Sequence, residues 1–370
     1  MILNKSELSK ALQKASTTIL ESSKDSSSFL LFHFEKEELY LKSFQNKIFT
    51  TTPLVYSGES SCIDFALNFK RFKKWVQTVG SEEIEIDFND REKILLAKND
   101  RGTVDFAVLN TETFPSWDFI VEKSKKTGEV QADSLAKAFT YSKNFIYSDE
   151  NSKPQFATSE LKNGVLSSTD LGGLSTIYLE GLEACSFRVH KNNISKMLKW
   201  LSYQGSDSIE VWKHEKAFVL KTTDGSLYGE IEISVPYAGP SFSKKDLETT
   251  FFIEVTKKDL NYAIKHLWSA ANWDQSYLEM TILEDSVELV LDSEAKNKLV
   301  TSIDRIASKQ DLDLPSTILV SKDYLEKIVR LFPEETLKLG VLKKGNKNGF
   351  FVTSHSYNDD EYISIMSWRS

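Results

Sequence analysis

Cysteine is almost absent: Cys62 and Cys185 are the two in 370 residues, far apart and with no second Cys or His at ligand spacing. That excludes a disulfide framework and a cysteine-based zinc site, and both read as small buried hydrophobes. Seven Pro and fifteen Gly, beside 40% apolar residues, leave no room for a long disordered or low-complexity tract. No run approaches the roughly 20 apolar residues of a membrane-spanning helix. The opening MILNKSELSK lacks the basic-then-apolar layout of a secretion signal, so the expectation is a cytoplasmic protein. Catalytic signatures are missing as well. His33, His190, His214, His266 and His355 are scattered, and there is no H-E-x-x-H, G-x-S-x-G, G-x-G-x-x-G or G-x-x-x-x-G-K-[ST]. The acidic groups Glu82-Glu83, Glu334-Glu335 and Asp359-Asp360-Glu361 flank strands and turns and read as solvated. Leu171-Gly172-Gly173-Leu174 precedes no helical pattern and reads as a turn, not a phosphate loop. The expectation is therefore no enzyme, no cofactor and no metal.

What is there is a repeat. In residues 1 to 18 a short strand precedes a helix that Asn4 or Ser6 caps, with Leu8, Ala11, Leu12 and Ala15 on one face. The pattern returns in QADSLAKAFTYS, capped by Asp133 or Ser134, and in EVTKKDLNYAIKHL, capped by Thr256. Leu8 and Leu135 are 127 residues apart, Leu135 and Leu260 125. A second helix sits in the middle of each unit (66 to 80, 189 to 202, 320 to 332), followed by a period-two strand, a turn and a closing strand. FPSW at 114–117 and GPSF at 239–242 read as strand endings and, with the terminal MSWRS, mark the unit ends. The reading is α+β: three repeated domains, 1–124, 125–247 and 248–370, each with two helices packed on curved antiparallel sheet.

Charge is segregated along this repeat. The chain carries a net charge of -8, which alone argues against a nucleic-acid partner. Yet the six helical windows 5–16, 67–77, 133–144, 190–201, 256–268 and 321–332 hold 18 Lys or Arg against 5 Asp or Glu, leaving 28 and 49 for the rest. Opposite the apolar stripes lie Lys10 and Lys14; Lys70, Arg71 and Lys74; Lys137; Lys196 and Lys199; Lys258 and Lys265; and Lys327 and Arg330. Lysine favours solvated helix faces in general, but six basic faces in an acidic chain suit phosphates if they share one side.

The threefold repeat, FPSW, SSTDLGGL (167 to 174), PSF (240 to 242), SKDYL (321 to 325) and the terminal I-M-S-W-R-S resemble, in order and spacing, the bacterial DNA polymerase III sliding clamp (β subunit) family. The resemblance covers essentially the full length. It implies a head-to-tail homodimer closed into a ring around duplex DNA, with helices lining the hole and sheet outside. DNA binding would be sequence-independent, by phosphate attraction that lets the ring slide. Lys24 and Lys153 fall near positions where the family touches DNA. The resemblance also implies a cleft that holds short linear peptides of the replicative polymerase and the clamp loader. The matching positions are Thr169, Leu171, Gly172, Leu174, Pro240, Phe242, Tyr324, Met366, Trp368 and Arg369. Leu174, Phe242, Tyr324 and Met366 are equally compatible with ordinary core positions. For the dimer contact, Val104, Phe106 and Val108 on the last strand of the first domain alternate towards one face that would meet the region of Ala270 and Trp273 of the other subunit, although a half-buried strand would look the same.

Departures from the family pattern mark a divergent member. Leu171-Gly172-Gly173 replaces a Gly-His-Arg segment, removing two side chains that usually line the cleft. Ser367, Trp368 and Ser370 replace Pro, Met and Leu in the tail, and SFQN (43 to 46) stands where T-D-L-E is common. A cleft with a different peptide preference is expected. The alternative is a clamp-fold interaction scaffold that no longer encircles DNA.

Overall fold

Helices begin where a strand delivers the chain to a capping side chain. Asn4 Oδ1 accepts from the backbone N–H groups of Ser6 and Glu7 at 2.9 and 3.1 Å, and Asn68 Oδ1 from Arg71 at 3.1 Å. Thr256 Oγ1 accepts from Asp259 N at 3.0 Å and donates to the Asp259 carboxylate at 2.5 Å. Caps of this kind stabilise a helix by about 1 kcal/mol each. The computed structural model describes residues 1–19, 28–59, 62–89, 91–109, 111–112, 114–151, 153–205, 207–232, 235–239, 252–270, 277–283, 285–292, 298–304, 307–309, 316–331, 335–344, 348–357 and 360–367. Among them are seven helices: α1 Lys5–Ala15, α2 Phe69–Thr78, α3 Asp118–Lys123, α4 Ala132–Ser142, α5 Lys191–Leu201, α6 Lys257–Ala270 and α7 Lys322–Leu331.

Six helices fall where the apolar spacing predicts them. The short α3 is additional: in DFIVEK only Ile120 is buried, too little to register as a period. Helix α4 starts at Ala132, so Asp133 and Ser134 lie in its first turn and not at the cap. There Asp133 Oδ1 accepts from Ser134 N at 2.8 Å.

Two compact units are present, residues 1–136 with 181–234, and 137–180 with 235–370. In the first, an antiparallel sheet of eight strands runs Lys125–Gln131, Ser208–His214, Ala217–Thr222, Leu227–Ile231, Ile48–Leu54, Glu38–Gln45, Phe29–Glu35, Phe65–Asn68. A second sheet runs Tyr56–Ser57, Ile2–Asn4, Glu83–Asn89, Ile94–Asn99, Gly102–Ala107. Leu8, Ala11 and Leu12 of α1 and Phe69, Phe72 and Val76 of α2 are buried in one cluster with Phe32, Phe65 and Ile84. Each fully buried Leu or Phe stabilises the fold by roughly 1.5–3 kcal/mol.

The strands of the larger sheet that belong to the second unit run Thr158–Lys162, Val165–Thr169, Gly173–Tyr178, Asp360–Ser367, Asn348–Tyr357, Thr336–Lys344, Phe252–Thr256, Ala307–Lys309. The smaller one runs Lys298–Asp304, Ser286–Asp292, Tyr277–Ile282, Ser316–Ser321. Each large sheet joins strands from two sequence repeats. Ile48–Leu54 pairs with Leu227–Ile231, Phe49 opposite Gly229, and Gly173–Tyr178 pairs with Asp360–Ser367, Gly173 opposite Met366. The segment 125–247 is thus divided between the two units.

Two expectations are corrected here. FPSW does not end a strand: it is a loop leading into α3, and Trp117 is its anchor. The Trp117 ring stacks on Phe49 and Phe44 at 5.0 and 5.9 Å, and its indole N–H donates to Thr51 Oγ1 at 3.2 Å. Of the cysteines, Cys185 is buried as expected, but Cys62 is exposed, in the connection before the strand Phe65–Asn68.

Candidate functional site

The second unit carries a cavity of about 400 Å³ against the N-terminal half of α7. Its lining includes Ile146, Tyr147, Asp170, Gly172, Tyr324 and Lys327. The strand Val165–Thr169 ends in a tight turn that the Asp170 side chain organises: Asp170 Oδ1 accepts from Gly172 N at 3.1 Å and from Gly173 N at 2.8 Å. Thr169 Oγ1 accepts from Leu171 N at 3.1 Å and donates to Gly173 O at 2.7 Å. This forces Leu171 to a φ of 73° and leaves its side chain 46% exposed. A leucine held in left-handed backbone and presented to water is costly unless the turn demands it.

Tyr324 closes one wall. It is buried, meets Phe145 edge-on at 5.8 Å, and packs so tightly under Gly173 that a Cβ there would stand 1.9 Å from its Cε2. Gly173 is glycine because the ring occupies the side-chain position. Lys327, one helical turn on, reaches back to Asp170 Oδ2 at 2.7 Å with its ammonium 4.5 Å from the Phe145 ring centre. The result is a hollow with apolar walls at Ile146, Tyr147 and Tyr324 and a polar rim of Ser148, Ser321, Asp323 and the Asp170–Lys327 pair, suited to an apolar anchor and a few polar contacts.

Of the ten residues expected here, Thr169, Leu171, Gly172 and Tyr324 gather at this turn and cavity, and Leu174 is buried behind them. Met366 lies on the strand paired with Gly173. Pro240, Phe242, Trp368 and Arg369 lie outside the described residues. Sequence reasoning missed Ile146, Tyr147, Asp170 and Lys327 as cleft residues. The signal for Lys327 was available, since it stands three positions after Tyr324 and so on the same helix face. It had been counted among the outward lysines, and that placement is corrected: it is half-buried and turned into the cleft.

Lys10, Lys70, Arg71, Lys74, Lys137, Lys199, Lys258, Lys265 and Arg330 are exposed. Lys10 pairs with Glu7 at 2.9 Å, and Lys199 donates to Ser16 Oγ at 3.3 Å. Lys14 is a second correction. It is buried, with its ammonium on Asp224 at 2.8 Å and Ser226 Oγ at 2.9 Å, because Ala11 and Ala15 beside it leave room to reach back over the sheet. Burial would raise the Asp224 carboxyl, but Lys14, Thr222 and the Ser226 N–H outweigh it and hold the group down to about 2. Lys196 is half-buried, donates to Gln45 Oε1 at 3.2 Å, and has its ammonium disfavoured by desolvation. Lys153 is half-buried over the Tyr147 ring at 5.5 Å. Lys24 lies outside the described residues.

Among the described residues Gly102–Ala107 is an edge strand, paired with Ile94–Asn99 on one side, and Leu109 beyond it bridges to Ala66. Val104 is 40% exposed, whereas Phe106 packs edge-on against Phe72 and Trp75 at 5.4 and 5.6 Å, and Val108 packs on the same core. Phe106 and Val108 are therefore partly spent inside the unit, leaving Val104 and the backbone edge outside. Ala270 is the last residue of α6, and Trp273 lies outside the described residues.

No family model and no curated protein matches the sequence. Solved structures do. A putative DNA polymerase III β subunit from Eubacterium rectale superposes with a TM-score of 0.74 at 14% identity, over 99% of this chain and 98% of that one. The DNA polymerase III subunit β of Pseudomonas aeruginosa gives 0.74 at 13% identity over 100% of both chains. The DNA polymerase sliding clamp of Bacillus subtilis gives 0.73 at 11% identity over 100% and 98%. From end to end, the chain has the fold of these proteins.

Proposed function

We propose that the protein is a DNA sliding clamp: a non-catalytic ring of two chains that encircles duplex DNA and tethers a polymerase and its loader. The observation that carries this reading is the full-length clamp fold combined with exposed lysines on the helix faces opposite the core. The three domains 1–124, 125–247 and 248–370 are its building blocks. Nine exposed Lys or Arg on six helices supply phosphate attraction without base readout, which holds a duplex and lets it slide. Closure would use strand edges left unpaired in the sheet order, Gly102–Ala107 in the first unit and Lys298–Asp304 in the second. Partner peptides would dock at the Tyr324 cavity, an apolar anchor entering beside Ile146 and Tyr324 and a polar group meeting the Asp170–Lys327 pair. With Gly172 in its lining and no side chain at 173, this cavity has a peptide preference different from the family's usual one.

The test is topological. Protein loaded by a clamp loader onto a nicked circular plasmid should stay bound at high salt and be lost when the circle is cut once. A clamp-fold scaffold that does not encircle DNA fails to load at all, and a simple binder survives linearisation.

A further inference from the structure

We infer that the first unit carries a second docking groove, for an extended basic peptide with an apolar anchor. The groove has a volume of about 800 Å³ and lies between the turn at Glu35–Glu38, the chain from Thr51 to Tyr56, and α3. That size is in the range of sites that enclose a short peptide or a drug-sized molecule. Its floor is apolar: Leu39, Leu54 and Leu227 are buried beneath it, and Val55 stands 82% exposed in it. An isolated exposed valine needs no explanation, but one set among a leucine floor inside a groove is an unfilled contact.

The rim is acidic on two sides, from Glu35, Glu37 and Glu38 of the turn and from Glu122 of α3. Glu35, Glu37 and Glu122 have no ion-pair partner among the described residues, whereas both lining lysines are engaged. Lys42 is buried against Asp118 at 2.7 Å, and Lys221 lies over the Trp212 ring at 5.5 Å. Tyr40, whose hydroxyl donates to Glu38, is pushed up to about 12, first by that hydrogen bond, then by burial and by the charges of Glu38 and Glu35. With Lys42 spent on Asp118, the four rim glutamates outnumber the one lysine charge left at Lys221, so the groove is net negative, which repels phosphates and acidic segments and selects Lys or Arg flanking an apolar side chain. The groove belongs to the first unit alone, so this inference stands apart from the cleft at Tyr324.

The probe is a fluorescein-labelled peptide, Gly-Lys-Arg-Leu-Phe-Lys-Arg-Gly, titrated with the full chain by fluorescence anisotropy. One control peptide has Glu for each Lys and Arg, and another has Ser for Leu-Phe. The expected result is saturable binding of the probe, weakened about tenfold or more by Glu37→Gln with Glu122→Gln, and comparably by Val55→Ser. All three positions are exposed, so the variants fold. Glu82→Gln with Glu83→Gln, acidic and exposed elsewhere, should change nothing. The inference is overturned if the probe does not bind, if the Ser-Ser peptide binds as well, or if the Glu82/Glu83 variant weakens binding as much as the groove variants.

Discussion

Gly173→Ala introduces a single methyl where the structure has no space for one. The new carbon would sit 1.9 Å from Tyr324 Cε2 and 2.3 Å from Cζ and Oη. Neither side yields easily, because Gly173 is held in the sheet opposite Met366 and the Tyr324 ring is buried against Phe145. Overpacking of this kind costs about 1–3 kcal/mol. If the strain is relieved by displacing Tyr324, the cleft loses a wall, and the same energy lowers affinity for a docking peptide by about 5- to 150-fold. Two assays read it: anisotropy of a labelled polymerase-derived peptide, and hydrogen exchange of the strands Val165–Thr169 and Gly173–Tyr178 in guanidinium. A double-mutant cycle isolates the cause, since with Tyr324→Ala in place the methyl has room and its stability cost should fall near zero. An alanine at 173 that costs nothing, or costs the same with and without the tyrosine ring, refutes the packing argument.

Three further outcomes are expected. Burial foremost, then the neighbouring charge of Glu232, raises Glu230 to about 8 although Asn193 hydrogen-bonds it at 2.7 Å. Because the folded state holds this proton after the unfolded chain has released it, stability should fall as pH rises from about 4.5 to about 8. Glu230→Gln should flatten that decline in denaturant titrations at pH 5.5 and 8, and an unchanged slope would contradict it. Lys14→Ala should lower unfolding stability by about 1–3 kcal/mol while leaving the salt slope of DNA binding intact, whereas Lys10→Ala with Lys70→Ala and Lys74→Ala should reduce that slope by about 2–3 with little loss of stability. The opposite assignment in a filter-binding salt series would show that burial misidentifies the DNA face. Asp170→Asn keeps the hydrogen bonds to Gly172 and Gly173 possible but removes the charge facing Lys327. It should strengthen binding of peptides with an acidic residue by about 3- to 10-fold, measured against a neutral analogue.

The helices were legible because their apolar stripes follow the 3.6-residue period and their caps, Asn4 and Thr256, are local signals. The turn at Leu171-Gly172 was legible from its glycine pair, but not its details: the left-handed residue is Leu171, and Gly173 is required by the Tyr324 ring and not by its backbone. What the sequence hid depends on distant chain. Lys14 flanks its helix's apolar stripe and reads as solvated until Asp224, 210 residues away, is brought to it. Lys327 reads as an outward lysine until Asp170, 157 residues before it, supplies the partner. The groove at Val55 has no sequence signature, because it is assembled from the turn at Glu35–Glu38, α3 and the turn at Asp224-Gly225. The two repeat junctions also differ in a way spacing does not reveal. The third residue of α5 is Asn193, hydrogen-bonded to buried Glu230, and the third of α7 is Tyr324, walling a cavity.

The claim on which the account rests is that two chains close around an opening wide enough for duplex DNA. Sedimentation equilibrium combined with small-angle scattering tests it directly. The account predicts a particle of twice the 42.2 kDa chain mass whose pair-distance distribution is that of a hollow ring. A monomer, or a dimer that scatters as a solid body, would contradict it.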